Sequence, residues 1–309
     1  MPKYKVSVRT PLSTTQSLLD NTPLDKVDAR FLLGDLLEQR LSWPRSALIS
    51  KDQEALPLGL IDEWKALEQR RLLGIPVAYL VGKKAFHAIE LKISPAVLIP
   101  RPETELLVDL ATEEVQNQIQ FNPCKQLIRI LDLGTGSGAI ALAIGFQLKI
   151  QNQSNPIIEI LGIDISSAAI ELAKENASRL GLTDHVKFSQ SHWYDNIPSE
   201  LKNSVDLIVC NPPYIHPDDP HLSQGDLRFE PRDALTDHVD GFGCIRTILS
   251  GCNPYLSQGG WVAIEHGFEQ ADLVRTIMRA NELTDVRSVP DLAGHLRVSM
   301  GRKSSQSRV

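Results

Sequence analysis

Asn211-Pro212-Pro213-Tyr214 is the stretch of this chain whose residue types most directly imply chemistry. It follows Val205-Asp206-Leu207-Ile208-Val209-Cys210, a short apolar run of the kind that forms a buried strand in an α/β sheet. Two consecutive prolines lack N–H groups and fix φ, so the chain must leave such a strand in a stiff, extended corner. A carboxamide, exposed carbonyls and one aromatic ring are then gathered at a strand's carboxyl end, where open α/β sheets bind ligands. That grouping suits a planar N–H₂ group, since the oxygens accept its protons and the ring packs on its face. An ordinary turn is the bland alternative, because Asn-Pro is a common turn signal.

A second motif, Asp132-Leu133-Gly134-Thr135-Gly136-Ser137-Gly138-Ala139, joins an apolar strand pattern to a helical one. Glycines there let the backbone turn tightly and approach a ligand closely. Gly134, Gly136 and Ala139 also satisfy the dinucleotide pattern, so a dehydrogenase has to be considered. Asp164 ends the next strand, where an acidic side chain meets ribose hydroxyls or, alternatively, caps the following helix. Trp193, in Ser191-His192-Trp193-Tyr194-Asp195, either covers an adenine ring or fills the core. Both cofactors fit the glycine loop and Asp164. The placing of Asp132, the alternating glycines and the later Asn-Pro-Pro-Tyr favour S-adenosylmethionine, because a hydride-transfer enzyme has no use for the last cluster.

The elements needed to position these residues are legible as an alternation of strands and helices from Leu127 onward, which predicts a doubly wound α/β sheet. Expected strands are 128–133, 157–165, 186–189, 205–210, 261–265, 286–289 and 296–300, with helices at 139–148, after Ser166 to 180, 243–256 and up to 280. Pro102, Glu103 and Glu105 mark the first turn of a further helix. Before them, Ile89, Leu91 and Ile93 alternate with polar residues as a half-buried strand, and Val97-Leu98-Ile99 is expected to pair with it as a hairpin. Helical spacing of Val27, Phe31, Leu32, Leu36 and Leu37, and of Ile61, Trp64 and Leu67, predicts two helices nearer the N-terminus. The expected division is a helical domain over 1–84, a β-hairpin linker over 85–100 and a catalytic domain over 101–309. The first ten residues and the tail after Gly301 read as loose.

With 309 residues the chain has room for two domains. A composition of 42% hydrophobic and 23% charged residues is that of a globular protein. The net charge of −6 argues against gripping nucleic acid mainly through phosphates. No stretch approaches the ~20 apolar residues that span a bilayer, and no signal-peptide pattern opens the chain. Cys124, Cys210, Cys244 and Cys252 lack CxxC spacing and read as reduced, mostly buried thiols of a cytoplasmic protein, with no metal site expected.

Taken together, Ile99-Pro100-Arg101-Pro102-Glu103-Thr104-Glu105, the loop 132–138, Asn211-Pro212-Pro213-Tyr214-Ile215 and Arg228-Phe229-Glu230-Pro231 closely resemble the HemK-type glutamine N5-methyltransferases of bacterial class-1 peptide chain release factors. The resemblance runs from about Asp28 to Gly301. The Asn-Pro-Pro-Tyr element alone is shared with N6-adenine DNA methyltransferases. Sister enzymes acting on a ribosomal protein tend to carry Ser where Pro102 stands, which favours the release-factor branch. The chain departs from many relatives at His192, where they carry Asp.

The resemblance implies a Rossmann-like class I methyltransferase sheet and a Gln side chain from a Gly-Gly-Gln tip as substrate. Gly134, Thr135, Gly136, Ser137 and Gly138 would hold the methionine part of S-adenosyl-L-methionine, Asp164 the ribose and Trp193 the adenine, with Asn211 also at the cofactor. Asn211, the Pro212 carbonyl and Pro213 would bind the substrate amide, and Tyr214 would pack nearby. Release factors are the expected partners, with no membrane and no direct nucleic-acid contact. His216 and Glu230 are near in sequence but are expected to build the loop, so no strong base is foreseen beside Asn211. An N6-adenine DNA methyltransferase and a non-catalytic cofactor-binding module remain as competing functions.

Overall fold

In a computed structural model, which describes residues 13–151 and 156–304, the chain forms two compact units, Met1–Val81 and Gly82–Val309. The first ten residues, expected to be loose, lie outside the described residues.

The first unit is helical: α1 (Thr15–Asn21), α2 (Lys26–Leu41), α3 (Ala47–Ser50), α4 (Leu58–Leu72) and α5 (Val77–Val81). Asp25 caps α2 by accepting the Val27 N–H, and Ser42 closes it in the left-handed conformation. Leu32, Leu33, Leu36 and Leu37 of α2 pack against Leu60, Ile61 and Trp64 of α4 to make the core of this unit. Val27, expected in the apolar stripe, is instead exposed, because it sits in the first turn beyond the end of that packing.

The second unit opens with an antiparallel hairpin, β1 (Lys83–Phe86) and β2 (Ile89–Lys92), joined at His87-Ala88 with His87 at φ +51°. The predicted pairing of the 89–93 strand with Val97-Leu98-Ile99 is therefore corrected: its partner precedes it. A two-residue turn closes β1 on β2 directly, whereas Pro95 interrupts the backbone before Val97. Val97 and Ile99 are buried, but as an irregular extended segment. Buried Asn176 pins the hairpin, accepting the Lys92 N–H at 2.7 Å and donating to the Lys92 and Ser137 carbonyls at 3.0 Å.

A 3-10 turn at Pro102–Thr104 leads into α6 (Glu105–Phe121), and the alternating pattern follows: β3 (Leu127–Leu133), α7 (Ala139–Gln151), β4 (Ile157–Asp164), α8 (Ser167–Arg179), β5 (Val186–Gln190), β6 (Val205–Cys210), α9 (Gly243–Cys252), β7 (Leu256–Glu265), α10 (Ala271–Ala280), β8 (Leu283–Pro290) and β9 (Leu296–Lys303). The seven strands lie in the order β5-β4-β3-β6-β7-β9-β8. The first five are parallel and β9 runs antiparallel to both its neighbours. Chain order reverses at β3, so the crevice beyond β3 and β6 is where this topology places a ligand.

Leu131, Leu133, Ile208, Cys210, Val262 and Ile264 share a core with Ile245, Ile248 and Leu249 of α9 and Val274 and Met278 of α10. Alternation sends Asp132, Ile130 and Val209 to the opposite face, where α6 and α7 lie. β9 continues through Lys303, past the point where a loose tail was expected, because its pairing with β8 persists to Leu283. The cysteines form no disulfide; Cys210 and Cys252 are buried, whereas Cys124 is exposed, contrary to the expectation of mostly buried thiols. Among the described residues no helix is long and apolar enough to cross a membrane.

Candidate active site

Strand register sets the site. Leu133 lies opposite Ile163 on one side and Cys210 on the other, and Cys210 lies opposite Ile264. The residues that follow, Gly134, Asp164, Asn211 and Glu265, therefore form one row along the carboxyl edge of four adjacent strands.

At β3 the chain turns through Gly134, Gly136 and Gly138, all at positive φ. A side chain at Gly136 would meet nothing within 4 Å, so the space above that bend is open. Asp132 lies beneath it, fully buried. Its Oδ2 accepts from the Thr135 hydroxyl at 2.6 Å and the Ala141 N–H at 3.3 Å, while Oδ1 has no hydrogen-bond partner. Burial pushes this carboxyl up to about 7, and the nearby charge of Asp164 adds to the shift. Thr135 and Ser137 turn their side chains inward, so what they offer a ligand is backbone.

Asp164 ends β4 with both oxygens engaged, Oδ1 by the Ser166 N–H and Oδ2 by the Gly136 N–H, each at 2.9 Å. The helix-cap role considered for it falls to Ser166, whose hydroxyl accepts the Ala169 N–H. Burial raises the Asp164 carboxyl. Trp193 packs its ring on the central core and lies over Gly134, 3.6 Å from where a Cβ would stand. It does so at φ +46°, a conformation that bulky residues rarely adopt.

At β6, Asn211, Pro212 and Tyr214 line one cavity together with Leu98, Arg101, Ile215 and Leu235. Pro213, expected with them at the substrate, is not among the residues lining this cavity, because the corner turns it away from Asn211 and Pro212. The Asn211 Nδ2 donates to the Thr104 hydroxyl at 3.0 Å, which leaves its Oδ1 as the available atom. The Pro212 carbonyl accepts no hydrogen bond among the described residues. Gln270 clamps the corner from behind, donating to the Tyr214 and Gly241 carbonyls at 3.1 Å while accepting the Gly267 N–H.

Two residues that sequence reasoning did not place in the site belong to it. Thr104, from the turn before α6, is buried beside Asn211. Glu265, 1% exposed at the end of β7, accepts the Tyr214 hydroxyl at Oε1 (3.2 Å). Its Oε2 is unpartnered, and the Thr104 and Tyr214 hydroxyls favour its ionised form. Burial outweighs both neighbours and pushes Glu265 up to about 7. The expectation that no carboxylate stands beside Asn211 is thus corrected: it held along the sequence but not across the sheet. An acidic residue closing an apolar strand was the signal for it. Glu230 and His216 serve the loop, as expected. The Glu230 carboxylate is buried, pairs with Arg101 and accepts the Ile99 N–H at 2.9 Å, while exposed His216 accepts the Asp218 N–H.

The family model for a methyltransferase domain matches residues 125–289, and that for the PrmC N-terminal domain matches residues 12–82. The chain is 42% identical to a release factor glutamine methyltransferase of Burkholderia pseudomallei over 294 residues, 94% of this chain and 96% of the relative. It is 41% identical to that of Neisseria gonorrhoeae, covering 94% and 97% of the two chains. The chain belongs to the release factor glutamine methyltransferase family. The solved catalytic domain of hMettl16 with a MAT2A 3'UTR hairpin shares the fold, with a TM-score of 0.54 at 13% identity over 79% of this chain and 82% of that one.

A release factor glutamine methyltransferase requires S-adenosylmethionine, and the residues present fit it. Asp132 Oδ1, buried and unpartnered, suits the cationic amino group of the methionine part. The open bend at Gly136 admits a close backbone approach, and the Asp164 carboxylate retains lone pairs for ribose hydroxyls.

Proposed function

We propose that this chain methylates N5 of the glutamine in the Gly-Gly-Gln motif of class-1 peptide chain release factors, with S-adenosylmethionine as the donor. The observation that carries this reading is the polarity of the corner. Thr104 takes the Asn211 Nδ2, so two oxygens, Asn211 Oδ1 and the Pro212 carbonyl, are left for an N–H₂ group one strand away from the glycine bend. The bound cofactor supplies an electrophilic methyl on a sulfonium.

An amide nitrogen is a weak nucleophile because its lone pair is delocalised into the carbonyl. What the chain contributes first is orientation, an effect of roughly 7–11 kcal/mol when well realised. The two oxygens also stabilise positive charge growing on the amide nitrogen, as dipoles fixed before reaction. The proton leaves after transfer, so no strong base is needed in contact with the nitrogen. Tyr214, with its hydroxyl committed to Glu265, presents its ring to the same cavity.

Asn211, Pro212 and Tyr214 carry substrate in this reading; Gly134, Gly136, Gly138, Asp164 and Trp193 carry cofactor. The helical unit, Met1–Val81, docks the body of the release factor, and the reaction is cytoplasmic because its substrate is. A labelled-methyl assay offering release factor, ribosomal protein and DNA in parallel tests the assignment. Label should enter the release factor and vanish when its motif glutamine is replaced; label on DNA or ribosomal protein instead would overturn it. Deleting the residues before Gly82 should weaken capture of whole release factor more than cofactor binding, and equal loss of both would refute the docking role.

A further inference from the structure

A single glutamine side chain enters the cavity at Asn211, behind two glycines that carry no side chain to grip. Stable contact between proteins buries about 800 Å² on each partner, so a release factor held here must also rest on surface around the mouth. The carboxyl edge of the sheet supplies such a surface where β7 ends and β9 begins. We infer that Phe268 and Leu292, exposed on two adjoining loops of that edge, form an apolar lip on which the release factor seats the chain flanking its Gly-Gly-Gln tip. This gives the catalytic unit a docking surface of its own, and it rests on the amide-methylating reading given above.

Both loops are fastened to the catalytic corner. Next to Phe268, the Gly267 N–H donates to Gln270 Oε1 at 2.9 Å, and Gln270 Nε2 donates to the Tyr214 carbonyl at 3.1 Å. Leu292 stands in the turn between β8 and β9. Glu265 lies opposite Val298 of β9, and the His266 N–H donates to the Arg297 carbonyl at 2.9 Å, so this hairpin rises beside the same corner. The two loops also meet each other. The Phe268 and His295 ring centres are 5.3 Å apart, and Arg297 Cζ lies 5.8 Å from the Phe268 ring centre.

Phe268 is 51% exposed and Leu292 wholly so, and neither belongs to the central core. Singly exposed apolar residues are ordinary, and Phe121 is one, at the end of α6 on the opposite edge of the sheet. The lip differs in being braced. Asp291 Oδ1 accepts the Ala293 and His295 N–H groups at 2.9 and 3.0 Å, and its Oδ2 accepts Arg297 Nε at 3.1 Å. The Asp291 N–H closes the turn on the His295 carbonyl at 2.8 Å. A leucine displayed on a turn so fixed loses little backbone freedom when a partner covers it, and preorganisation of that kind favours binding.

The test is steady-state methylation of whole release factor by Leu292→Ser and by the double variant Phe268→Ser/Leu292→Ser. Burying one such side chain is equivalent to a factor of roughly ten in affinity. KM for the release factor should therefore rise roughly tenfold in the single variant and approach a hundredfold in the double. Both kcat and the Kd for S-adenosylmethionine should stay within about twofold, since the contact removed is equally present in ground and transition states. Phe121→Ser should change none of these. Leu292 projects entirely into solvent, so its replacement leaves the fold intact. A KM within about twofold of wild type in both lip variants would overturn the inference while leaving the methylation reading in place, as would an equal rise in Phe121→Ser. Sedimentation showing that Leu292→Ser separates a wild-type dimer without altering KM would give the lip to a second copy of the chain and overturn the inference too. Wild-type enzyme that labels no release factor would refute the methylation reading itself, and the lip with it.

Discussion

The Thr135 hydroxyl donates to Asp132 Oδ2 at 2.6 Å, and the carboxylate's other oxygen is left buried and unpartnered. The threonine that follows the first glycine of the bend thus holds an anion in readiness for a cation. Asp132→Asn keeps the shape and removes the charge. Charge-assisted hydrogen bonds contribute about 1.5–3 kcal/mol, so its affinity for S-adenosylmethionine should fall by roughly ten- to a hundredfold. Wild-type affinity should tighten as pH rises through about 7, where Asp132 ionises, and the variant should not follow. Calorimetric titration between pH 5.5 and 8.5 reads both effects; a pH-independent wild-type Kd would refute them.

Stability should run the other way. Asp132 and Glu265 both titrate at about 7 in the folded chain, against 3.8 and 4.5 ordinarily, because burial penalises their charged forms. Between about pH 4 and 7 the folded state therefore holds more protons than the unfolded state, and stability falls as pH rises through that window. The loss is on the order of a few kcal/mol. Thermal unfolding of the cofactor-free protein should show a lower Tm at pH 8 than at pH 5.5, and Asp132→Asn should recover part of the difference. A Tm that climbs from pH 5.5 to 8 would contradict the assignment.

Asn211→Ala removes one of two oxygens aimed at the substrate amide. Its kcat should fall by roughly 10²–10³-fold, the range for losing one oriented dipole, with cofactor affinity little changed. Near-normal turnover on release factor would show that the carboxamide does not position the substrate.

The pairing of Arg101 with Glu230 predicts an asymmetry. The Glu230 side chain is fully buried whereas Arg101 is 31% exposed. Arg101→Ala strands a carboxylate away from water, a change of about 3–5 kcal/mol. Glu230→Ala leaves an arginine that can turn to solvent and orphans the Ile99 N–H, about 1–3 kcal/mol. Denaturant unfolding should rank Arg101→Ala as the more damaging; the reverse order would mean that the pair contributes little beyond the backbone contact.

How much of this was legible in the sequence follows from how each element is stabilised. Strand β6, inside the parallel sheet, is buried on both faces along its whole length, and hydrophobic pattern alone locates Val205–Cys210 to the residue. The Lys83–Phe86 strand carries two lysines and is defined by its partner instead, so composition hid it and drew the pairing to Val97–Ile99. The short helices α1, α3 and α5 are too brief to show a period. Within the site, Gly134, Asp164 and Asn211 announce themselves because each belongs to a local motif. Thr104 and Glu265 do not, since their meaning arises only when register and the turn before α6 bring them to Asn211.

Trp193 shows what such a site demands of its backbone. A left-handed conformation at a bulky residue costs about 1–3 kcal/mol. It is sustained by Ser191, whose hydroxyl donates to the Trp193 carbonyl at 3.1 Å and accepts the Asn196 N–H at 3.0 Å. Glycine or asparagine would sit there in comfort but would lay no indole over Gly134. The loop behaves as a latch kept under tension: a sequence chosen for thermal resilience alone would relax it.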